Sequence, residues 1–294
     1  MMHFNDIDDD QIRLIGEPNK EPRPKRRWWI IAAVAVVIAT VISVIFLCSQ
    51  NDSEEMYCEN PLFYCEASDG TAYIYDGVAE TRGYTLITDT TINDIPLRAY
   101  TPYGATMSLH IGALNKNDST IVYAARAADI RADNGGIVGA FVLNGEPRAW
   151  GISKKGYCAA INGKVVIGVA KNTHLFELAT EQGGYFFRQY PLVSNGKLIE
   201  NEPKGKSIRR AICEQQGKIF MVETITRESF HDFAQALVDI GADNAIYLTG
   251  SSAYGWAVDQ NGIKHEFGED DYYTGKLKMP KNINYIVWRT RVTP

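Results

Sequence analysis

The sequence lacks the short motifs that mark most enzymes dependent on a metal or a nucleotide cofactor. It contains no G-x-x-x-x-G-K-[ST] or G-x-G-x-x-G segment, the glycine-rich turns that hold phosphates. Neither Cys-x-x-Cys nor His-Glu-x-x-His occurs, and the five histidines show no metal-ligand spacing. We therefore expect no cofactor and no metal site.

Positive charge is not in excess either. The chain has 30 Lys and Arg against 35 Asp and Glu, a formal net charge of −5. Nucleic-acid-binding domains usually present a basic surface, so we expect no nucleic-acid partner. A serine hydrolase is also disfavoured, because "GSSAYG" at 250–255 misses the G-x-S-x-G nucleophile pattern by one position.

Charged residues are absent from residues 28–48, "WWIIAAVAVVIATVISVIFLC". A helix of this length spans roughly the 30 Å hydrocarbon core of a bilayer. Basic residues precede it in "RPKRRWW", and basic flanks stay in the cytoplasm. We expect a single-pass signal anchor at 28–48, a disordered cytoplasmic tail at 1–27, and an exported C-terminal domain, periplasmic or extracellular.

A cleaved signal peptide and a lipoprotein signal are the alternatives to an uncleaved anchor. A cleaved signal peptide has a shorter apolar part and a small-x-small cleavage site, which is missing here. A lipoprotein signal ending at Cys48 would have a small residue before the cysteine, where this chain has Leu47.

Four cysteines follow the membrane segment, an even number that permits disulfides in an exported domain. Cys58 and Cys65 could close a small loop within a linker at 49–70. Cys158 and Cys213 lie in apolar runs and are typical of buried thiols, which could be adjacent. Disulfide-bonded and free thiols both remain open.

Short apolar runs separated by turn residues predict many strands after residue 70. Only two segments have helical periodicity, "NTHLFELATEQGG" at 172–184 and "TRESFHDFAQALVDIG" at 226–241. In the second we expect Thr226 as the N-cap and Gly241 as the stop. The prediction is an α+β domain at 71–294, with strand-rich mixed sheets and two main helices, preceded by the single transmembrane helix.

Arginines interrupt several of the predicted strands: Arg126, Arg188, Arg209 and Arg210. A guanidinium among apolar residues is costly to desolvate unless it is paired, and its planar fork matches carboxylate or phosphate. An internal pair is the alternative, for example Arg126 with Asp129 or Glu177. At least one of Arg209 and Arg210 is expected to point away from the core.

The order of several motifs resembles the phosphodiester glycosidase family. The motifs are "AARAADI" (124–130), "GIVGAFVLNGEPRAWG" (136–151), "RQYPLVSNGK" (188–197), "RRAIC" (209–213) and, after a helix, "GADNAIYLTGSS" (241–252). The resemblance covers about residues 95–290 and suggests a divergent, bacterial-type member. It implies hydrolysis of a sugar-1-phosphodiester, or binding of a related anionic glycan.

Matching positions carry the family's site onto this chain. Gln189 and Pro191 match its glutamine-proline strand, Arg209 its arginine, and Gly250 the first glycine of its L-D-G-G turn. In the family, that turn and that arginine line a cleft for a sugar joined through phosphate.

Four positions depart from the family pattern. Thr249 replaces the aspartate of the turn, Ser251 its second glycine, Arg126 the asparagine of the early strand, and Cys213 a later glycine. Threonine cannot serve as a carboxylate, so a glycosidase mechanism needs an acid from elsewhere.

The resemblance implies three catalytic candidates: Glu177 as the preferred general acid/base, Asp129 as a second acid, and Arg209 as a phosphate ligand. The candidate substrate-binding residues are Arg126, Arg188, Gln189, Arg210, Thr249, Gly250, Ser251, Ser252 and Tyr254, and Trp256 and Tyr185 could stack on a sugar. The expected partners are a glycan or sugar phosphate and the membrane. A silent relative that binds phosphorylated glycan, or a structural envelope domain, is the alternative function.

Overall fold

The structure is a computed structural model that describes residues 83–290. All of these belong to one compact unit, Tyr75–Pro294. The expected tail, the expected anchor, the Cys58–Cys65 loop and the strand expected at 71–77 lie outside the described residues. Between 83 and 290, no helix is long and apolar enough to cross a membrane.

Seventeen strands and two helices make up the described part. The strands are β1 Tyr84–Ile92, β2 Ile95–Tyr103, β3 Ala105–Ile111, β4 Ile121–Arg126, β5 Phe141–Leu143, β6 Glu146–Ala149, β7 Gly156–Ile161, β8 Lys164–Val169, β9 Tyr185–Gln189, β10 Pro191–Ser194, β11 Lys197–Leu198, β12 Arg210–Gln215, β13 Lys218–Thr224, β14 Asn244–Leu248, β15 Gly255–Val258, β16 Lys264–Phe267 and β17 Asn284–Thr290. The helices are α1 Leu175–Glu181 and α2 Phe230–Asp239. This confirms the predicted strand-rich α+β class.

The strands form three sheets. The first has the order β1-β2-β13-β12-β14-β10-β11, the second β16-β15-β4-β17-β3, and the third β6-β5-β9-β7-β8. Within the described sheets every strand pair is antiparallel, whereas mixed sheets were expected. Six of the fourteen pairs join consecutive strands as hairpins, which produce antiparallel pairs, and the other eight join strands that are distant in sequence.

One face of each sheet contributes to a shared core. Ile246 of the first sheet, Trp288 of the second and Phe187 of the third belong to a single buried cluster. The other faces are covered separately: α2 packs on the first sheet, the segment around Tyr272 and Met279 on the second, and α1 on the third. Because both faces of each sheet are covered, even polar strand residues are buried.

The predicted apolar face of α2 is confirmed, since Phe230, Phe233, Ala234 and Leu237 are all buried. The predicted N-cap, Thr226, is wrong. Ser229 is the N-cap, because its side-chain oxygen accepts a hydrogen bond from the backbone N–H of Asp232. Helix α2 therefore begins three residues later than its sequence suggested.

Both cysteines in the described residues are free and buried. Cys158 packs in the shared core, whereas Cys213 packs beneath α2 on the outer face of the first sheet. The two thiols thus lie in different clusters, and the possible pairing between them does not occur.

Candidate active site

One backbone carbonyl joins the ends of three strands from three different sheets. The oxygen of Ala127, just after β4, accepts hydrogen bonds from the backbone N–H of Thr249 (3.3 Å) and from its hydroxyl (3.2 Å). Gln189 Nε2, at the end of β9, lies 3.5 Å from the same oxygen. Because Thr249 follows β14 directly, this carbonyl fixes the turn that the resemblance singled out against the ends of β4 and β9.

A buried amide holds the next residue in place. The side chain of Asn284, fully buried on β17, accepts from Ala128 N–H at 2.7 Å and donates to Ala128 O at 3.2 Å. The chain therefore leaves β4 on a fixed path toward Asp129.

Asp129 is the only carboxylate that contacts Thr249 in the described structure. Its Oδ1 accepts a hydrogen bond from the Thr249 hydroxyl at 3.2 Å, and its Oδ2 lies 3.3 Å from Lys154 Nζ. The Asp129 side chain is 32% exposed and that of Lys154 only 10%. We call Asp129, Thr249 and Lys154 the acid cluster. The turn that lacks the family's aspartate is thus supplied with a carboxylate from the end of β4.

Sequence reasoning missed Lys154, which lies in the unremarkable polar stretch "ISKKGY". Its ammonium lies 3.0 Å from the centroid of the Tyr190 ring, and the two contacts leave it buried. No local pattern distinguishes Lys154 from its exposed neighbour Lys155, so only the fold reveals it.

Arg188 positions the segment before β7 that carries Lys154. Its Nη1 donates to the carbonyls of Lys154 (3.0 Å) and Ala170 (2.8 Å), and its Nη2 donates to that of Lys171 (3.0 Å). These contacts occupy the terminal nitrogens of a buried guanidinium. Arg188 therefore fixes the backbone at Lys154, one residue of the acid cluster.

Arg209 and Arg210 point to opposite faces of the first sheet, yet both are buried. Arg209 donates to the carbonyls of Glu228 (2.9 Å) and Gly205 and lies over the Phe230 ring at 4.1 Å. One of the pair therefore points away from the shared core, as expected, but it is still buried because α2 covers the face on which Arg209 lies.

Arg210 is paired on the inner side. Its guanidinium contacts the carboxylate of Glu223 and donates to Ala253 O at 2.6 Å. That second bond ties β12 to the turn after Thr249.

Arg126, at the end of β4, differs from the other three arginines. Its Nε is buried without a hydrogen-bond partner, as is that of Arg188, but for Arg126 no ion pair or hydrogen bond of any guanidinium nitrogen is found within residues 83–290. The pair expected with Asp129 or Glu177 does not form. Desolvation by burial lowers the pKa of Arg126, opposed by the nearby Tyr285, Tyr272 and Asp129. Arginine nevertheless remains charged at any physiological pH.

The turn after Thr249 combines a tight backbone with exposed hydroxyls. A Cβ on Gly250 would collide with the carbonyl oxygen of Ile208, so the turn requires glycine there. Ser251 adopts a positive φ of 56°, and Ser251 and Ser252 are both exposed. They line a pocket of about 420 Å³ together with Arg210.

The predicted aromatic residues lie mostly away from this turn. Tyr254 and Trp256 are buried in the cluster on the outer face of the second sheet, and Tyr254 donates to Glu266 at 2.6 Å. Tyr185 is partly buried against the shared core. Trp150, which sequence reasoning did not select, is 73% exposed at the beginning of the segment that leads to Lys154.

Glu177, the preferred acid, is exposed on α1 and makes no hydrogen bond or ion pair inside the described range. Helix α1 packs on the outer face of the third sheet. The structure does not bring Glu177 to the acid cluster, and its catalytic role stays a prediction. Over the same residues, no group of three or more His, Cys, Asp or Glu could hold a metal ion.

The sequence model of one family matches residues 119–277 of this chain, and that family is the phosphodiester glycosidases. The match spans more than half of the chain and includes the acid cluster and the turn. The chain belongs to the phosphodiester glycosidase family.

Two solved structures are similar to this chain, and the first of them supports the fold. The catalytic domain of zebrafish N-acetylglucosamine-1-phosphodiester alpha-N-acetylglucosaminidase, auto-inhibited by its pro-peptide, matches with a TM-score of 0.50 and 15% identity, over 71% of this chain and 83% of that one. A hypothetical protein from Synechocystis matches with a TM-score of 0.48 and 13% identity, over 71% and 62%. No curated protein sequence matches the chain.

Among phosphodiester glycosidases this chain is divergent at its centre. Gly250 and Gln189, which the sequence matches to the family's turn and glutamine-proline strand, are both buried. The substitutions Arg126 and Thr249 fall beside them, at the two strand ends that meet at Ala127. The architecture of a phosphodiester glycosidase is thus combined with a different arrangement of charge.

Proposed function

We propose that the protein is a membrane-anchored, exported hydrolase that releases a sugar from a sugar-1-phosphodiester. The observation that carries the proposal is the carboxylate of Asp129, bonded to the Thr249 hydroxyl in the family's signature turn. Hydrolysis at a sugar carbon requires a carboxylate. The turn itself has none, because Thr249 stands where the family has aspartate. Membership of the family supports the hydrolase class.

In the mechanism we propose, Asp129 acts as a general base. The ammonium of Lys154 lies 3.3 Å from Oδ2 and holds the carboxylate in place, while Oδ1 faces the Thr249 hydroxyl. Asp129 takes a proton from water as the water oxygen bonds to the anomeric carbon. The bond from that carbon to the phosphate oxygen breaks, and its electron pair leaves with the phosphate.

A single carboxylate is enough for this reaction. The departing group is a phosphate monoester dianion, whose protonation pKa is about 6, so it is a good enough leaving group to depart without being protonated. It needs only electrostatic stabilisation, which a preorganised cation such as Lys154 supplies. The exposed hydroxyls of Ser251 and Ser252 are additional donors for the phosphate or the sugar.

Trp150 is our candidate for sugar stacking. It is 73% exposed, and it precedes Lys154 by four residues in the same segment, which also exposes Ile152. A large aromatic ring in solvent beside a polar site provides the flat apolar surface on which a sugar ring packs.

The direct test measures release of free sugar from a UDP-linked sugar or a p-nitrophenyl sugar phosphodiester by the full chain in mild detergent. We expect turnover by the wild type and a fall in kcat of at least about a hundredfold in Asp129→Asn. Asp133→Asn, an exposed carboxylate on the same loop, is the matched control and retains activity. If Glu177→Gln loses turnover while Asp129→Asn retains it, the acid cluster is not the catalytic centre.

A catalytically silent glycan-binding domain is the second candidate function, favoured by Thr249 in place of the family acid. Binding of the same compounds without hydrolysis would support that candidate against the hydrolase. Neither binding nor hydrolysis would favour a structural envelope domain.

The membrane anchor in this proposal is supported by the sequence of residues 28–48 and their basic flank. We propose that the N-terminus is cytoplasmic and that the catalytic domain is exported. Protease added to intact cells should then degrade the domain and spare an epitope tag placed at residue 1. A domain protected from external protease until the membrane is permeabilised would contradict the export proposed.

A further inference from the structure

The four buried arginines differ in what holds them. Arg188 and Arg209 donate to backbone carbonyls, and Arg210 is paired with Glu223. Arg126 has none of these contacts in the described part of the chain, although only 8% of its surface is exposed. A desolvated cation with free donors is unfavourable unless something binds it, so its arrangement indicates a ligand.

The surroundings of Arg126 favour an anion. Tyr285 on β17 is the cross-strand neighbour of Arg126. The centroid of its ring lies 5.8 Å from the guanidinium carbon. The nearby carboxylate of Asp129 is engaged by Lys154 and Thr249, with no hydrogen bond to Arg126. The N–H donors of Arg126 are therefore available to an anionic ligand.

The depth of Arg126 limits the shape of that group. A phosphodiester carries a substituent on each of two oxygens, so both substituents must leave any site that holds it. A terminal carboxylate or phosphomonoester has only one substituent and presents two or more free oxygens to the guanidinium fork. Only a terminal group of this kind can approach a guanidinium that is nine-tenths buried.

We propose that Arg126 forms a subsite for a terminal anionic group of the substrate, a carboxylate or a phosphomonoester, separate from the phosphodiester that is cleaved. The subsite begins three residues before Asp129 and belongs to the same strand end. The inference rests on the proposed function only in calling the ligand a substrate, because the anion site itself is defined by Arg126. The Arg126 subsite would favour acidic sugars, or glycans that end in phosphate, over neutral substrates.

The test uses three small anions and the full chain in detergent at low ionic strength, measured by calorimetry. Acetate and methyl phosphate represent the two terminal groups, and dimethyl phosphate represents a diester with the same single charge as acetate. We expect acetate or methyl phosphate to bind one site at least about tenfold more tightly than dimethyl phosphate. Which of the two binds more tightly identifies the carboxylate or the phosphomonoester as the group recognised.

Two variants test whether Arg126 forms the anion site. Arg126→Gln should weaken that binding at least about tenfold, whereas Arg131→Gln, an exposed arginine on the next loop, should leave it unchanged. Binding that is unaltered by Arg126→Gln, or equally tight for dimethyl phosphate, would overturn the inference. Arg126-dependent binding in a protein that hydrolyses nothing would instead count against the proposed function alone.

Thermal unfolding without ligand checks the premise. Glutamine needs no partner for a charge, so Arg126→Gln should match or exceed the wild-type Tm. Arg188→Gln should lower Tm, because it removes bonds to three carbonyls. A fall in Tm for Arg126→Gln as large as that for Arg188→Gln would show that the protein itself holds Arg126, and the subsite would be refuted.

Discussion

The four arginines that interrupt the strands are all buried, and they differ in their hydrogen-bond and ion-pair partners. Each of the four interrupts an apolar run, which is why the sequence alone could locate them. Their roles could not be predicted, because Arg188 and Arg209 bind backbone carbonyls, and carbonyls occur at every residue. The sequence supplies the cation, whereas only the fold determines which acceptors face it.

Arg188 is predicted to be important for stability. Replacing it with methionine keeps the apolar stem but leaves the carbonyls of Lys154, Ala170 and Lys171 without their donor. We expect the free energy of unfolding to fall by about 3 kcal/mol, since a hydrogen bond to a charged group contributes roughly 1.5–3 kcal/mol and the site relaxes in part.

Urea denaturation of the two variants measures this effect. The matched control is Arg131→Met, whose side chain is mostly exposed and pairs only with Asp133. It should stay within about 0.5 kcal/mol of the wild type, as expected for an exposed ion pair. Equal stabilities of Arg188→Met and Arg131→Met would contradict the structural role of Arg188.

The acid cluster shows where residue-level prediction ends. Asp129 was among the candidates because it follows a motif matched to the family. Its partner Lys154 lies 25 residues away, beyond the hairpin of β5 and β6, and has no motif of its own. The alternative pairing of Asp129 with Arg126 does not form, because the two carboxylate oxygens contact Thr249 and Lys154 instead.

At the scale of elements, most strands and both helices could be predicted from hydrophobic periodicity. The hairpin of β15 and β16 was missed, because Lys264–Phe267 is a polar strand whose residues are partly or fully exposed. The apolar run at 184–193 divides into β9 and β10 at Tyr190. Its two halves belong to different sheets, and no pattern in the run indicates that change.

The beginning of α2 offers a test of capping. Two hydroxyl residues, Thr226 and Ser229, precede the helix, and only the Ser229 hydroxyl accepts from a helical backbone N–H, that of Asp232 at 3.0 Å. Ser229→Ala should lower the free energy of unfolding by about 1 kcal/mol, the usual cost of losing an N-cap.

Thr226→Ala is the matched control for this capping test. The exposed Thr226 donates its hydroxyl only to the side chain of Glu228, so its loss should change stability by less than about 0.5 kcal/mol. Chemical denaturation measures both variants. A larger effect from Thr226→Ala than from Ser229→Ala would place the functional cap where the sequence first suggested it.

At the scale of the whole molecule, three titratable groups on different strands determine how stability depends on pH. A hydrogen bond from Tyr254, aided by Lys116, holds the pKa of Glu266 below its ordinary value, and one from Arg98 does the same for Asp89. Burial lowers the pKa of His110. In all three cases the unfolded chain binds protons more readily than the folded one.

Stability should therefore decrease as the pH falls. The contribution of His110 is present above the unfolded histidine pKa of about 6.5 and is lost below it, and those of Glu266 and Asp89 are lost from about pH 4.5 downward. The urea midpoint should thus be highest near neutral pH and fall in two stages. Glu266→Gln should reduce the second stage, and a midpoint that rises on acidification would contradict the signs.

Cooperativity of the whole domain can be followed through its two buried thiols. Cys158 reports on the core shared by the three sheets, and Cys213 reports on the separate cluster beneath α2. Burial raises the pKa of both thiols, so neither forms the reactive thiolate in the folded protein. With Cys48, Cys58 and Cys65 replaced by serine, the native protein should not react with a disulfide reagent.

In increasing urea, the two remaining thiols should become reactive at the same midpoint. The reason is that β12 and β14 contribute residues to both clusters, since Ile212 and Ile246 face the shared core while Cys213 and Ala245 face α2. Losing either cluster exposes one face of the same two strands, so neither can persist alone. Single-cysteine variants distinguish the sites, and exposure of Cys213 well before Cys158 would show that α2 separates from the sheet as an independent unit.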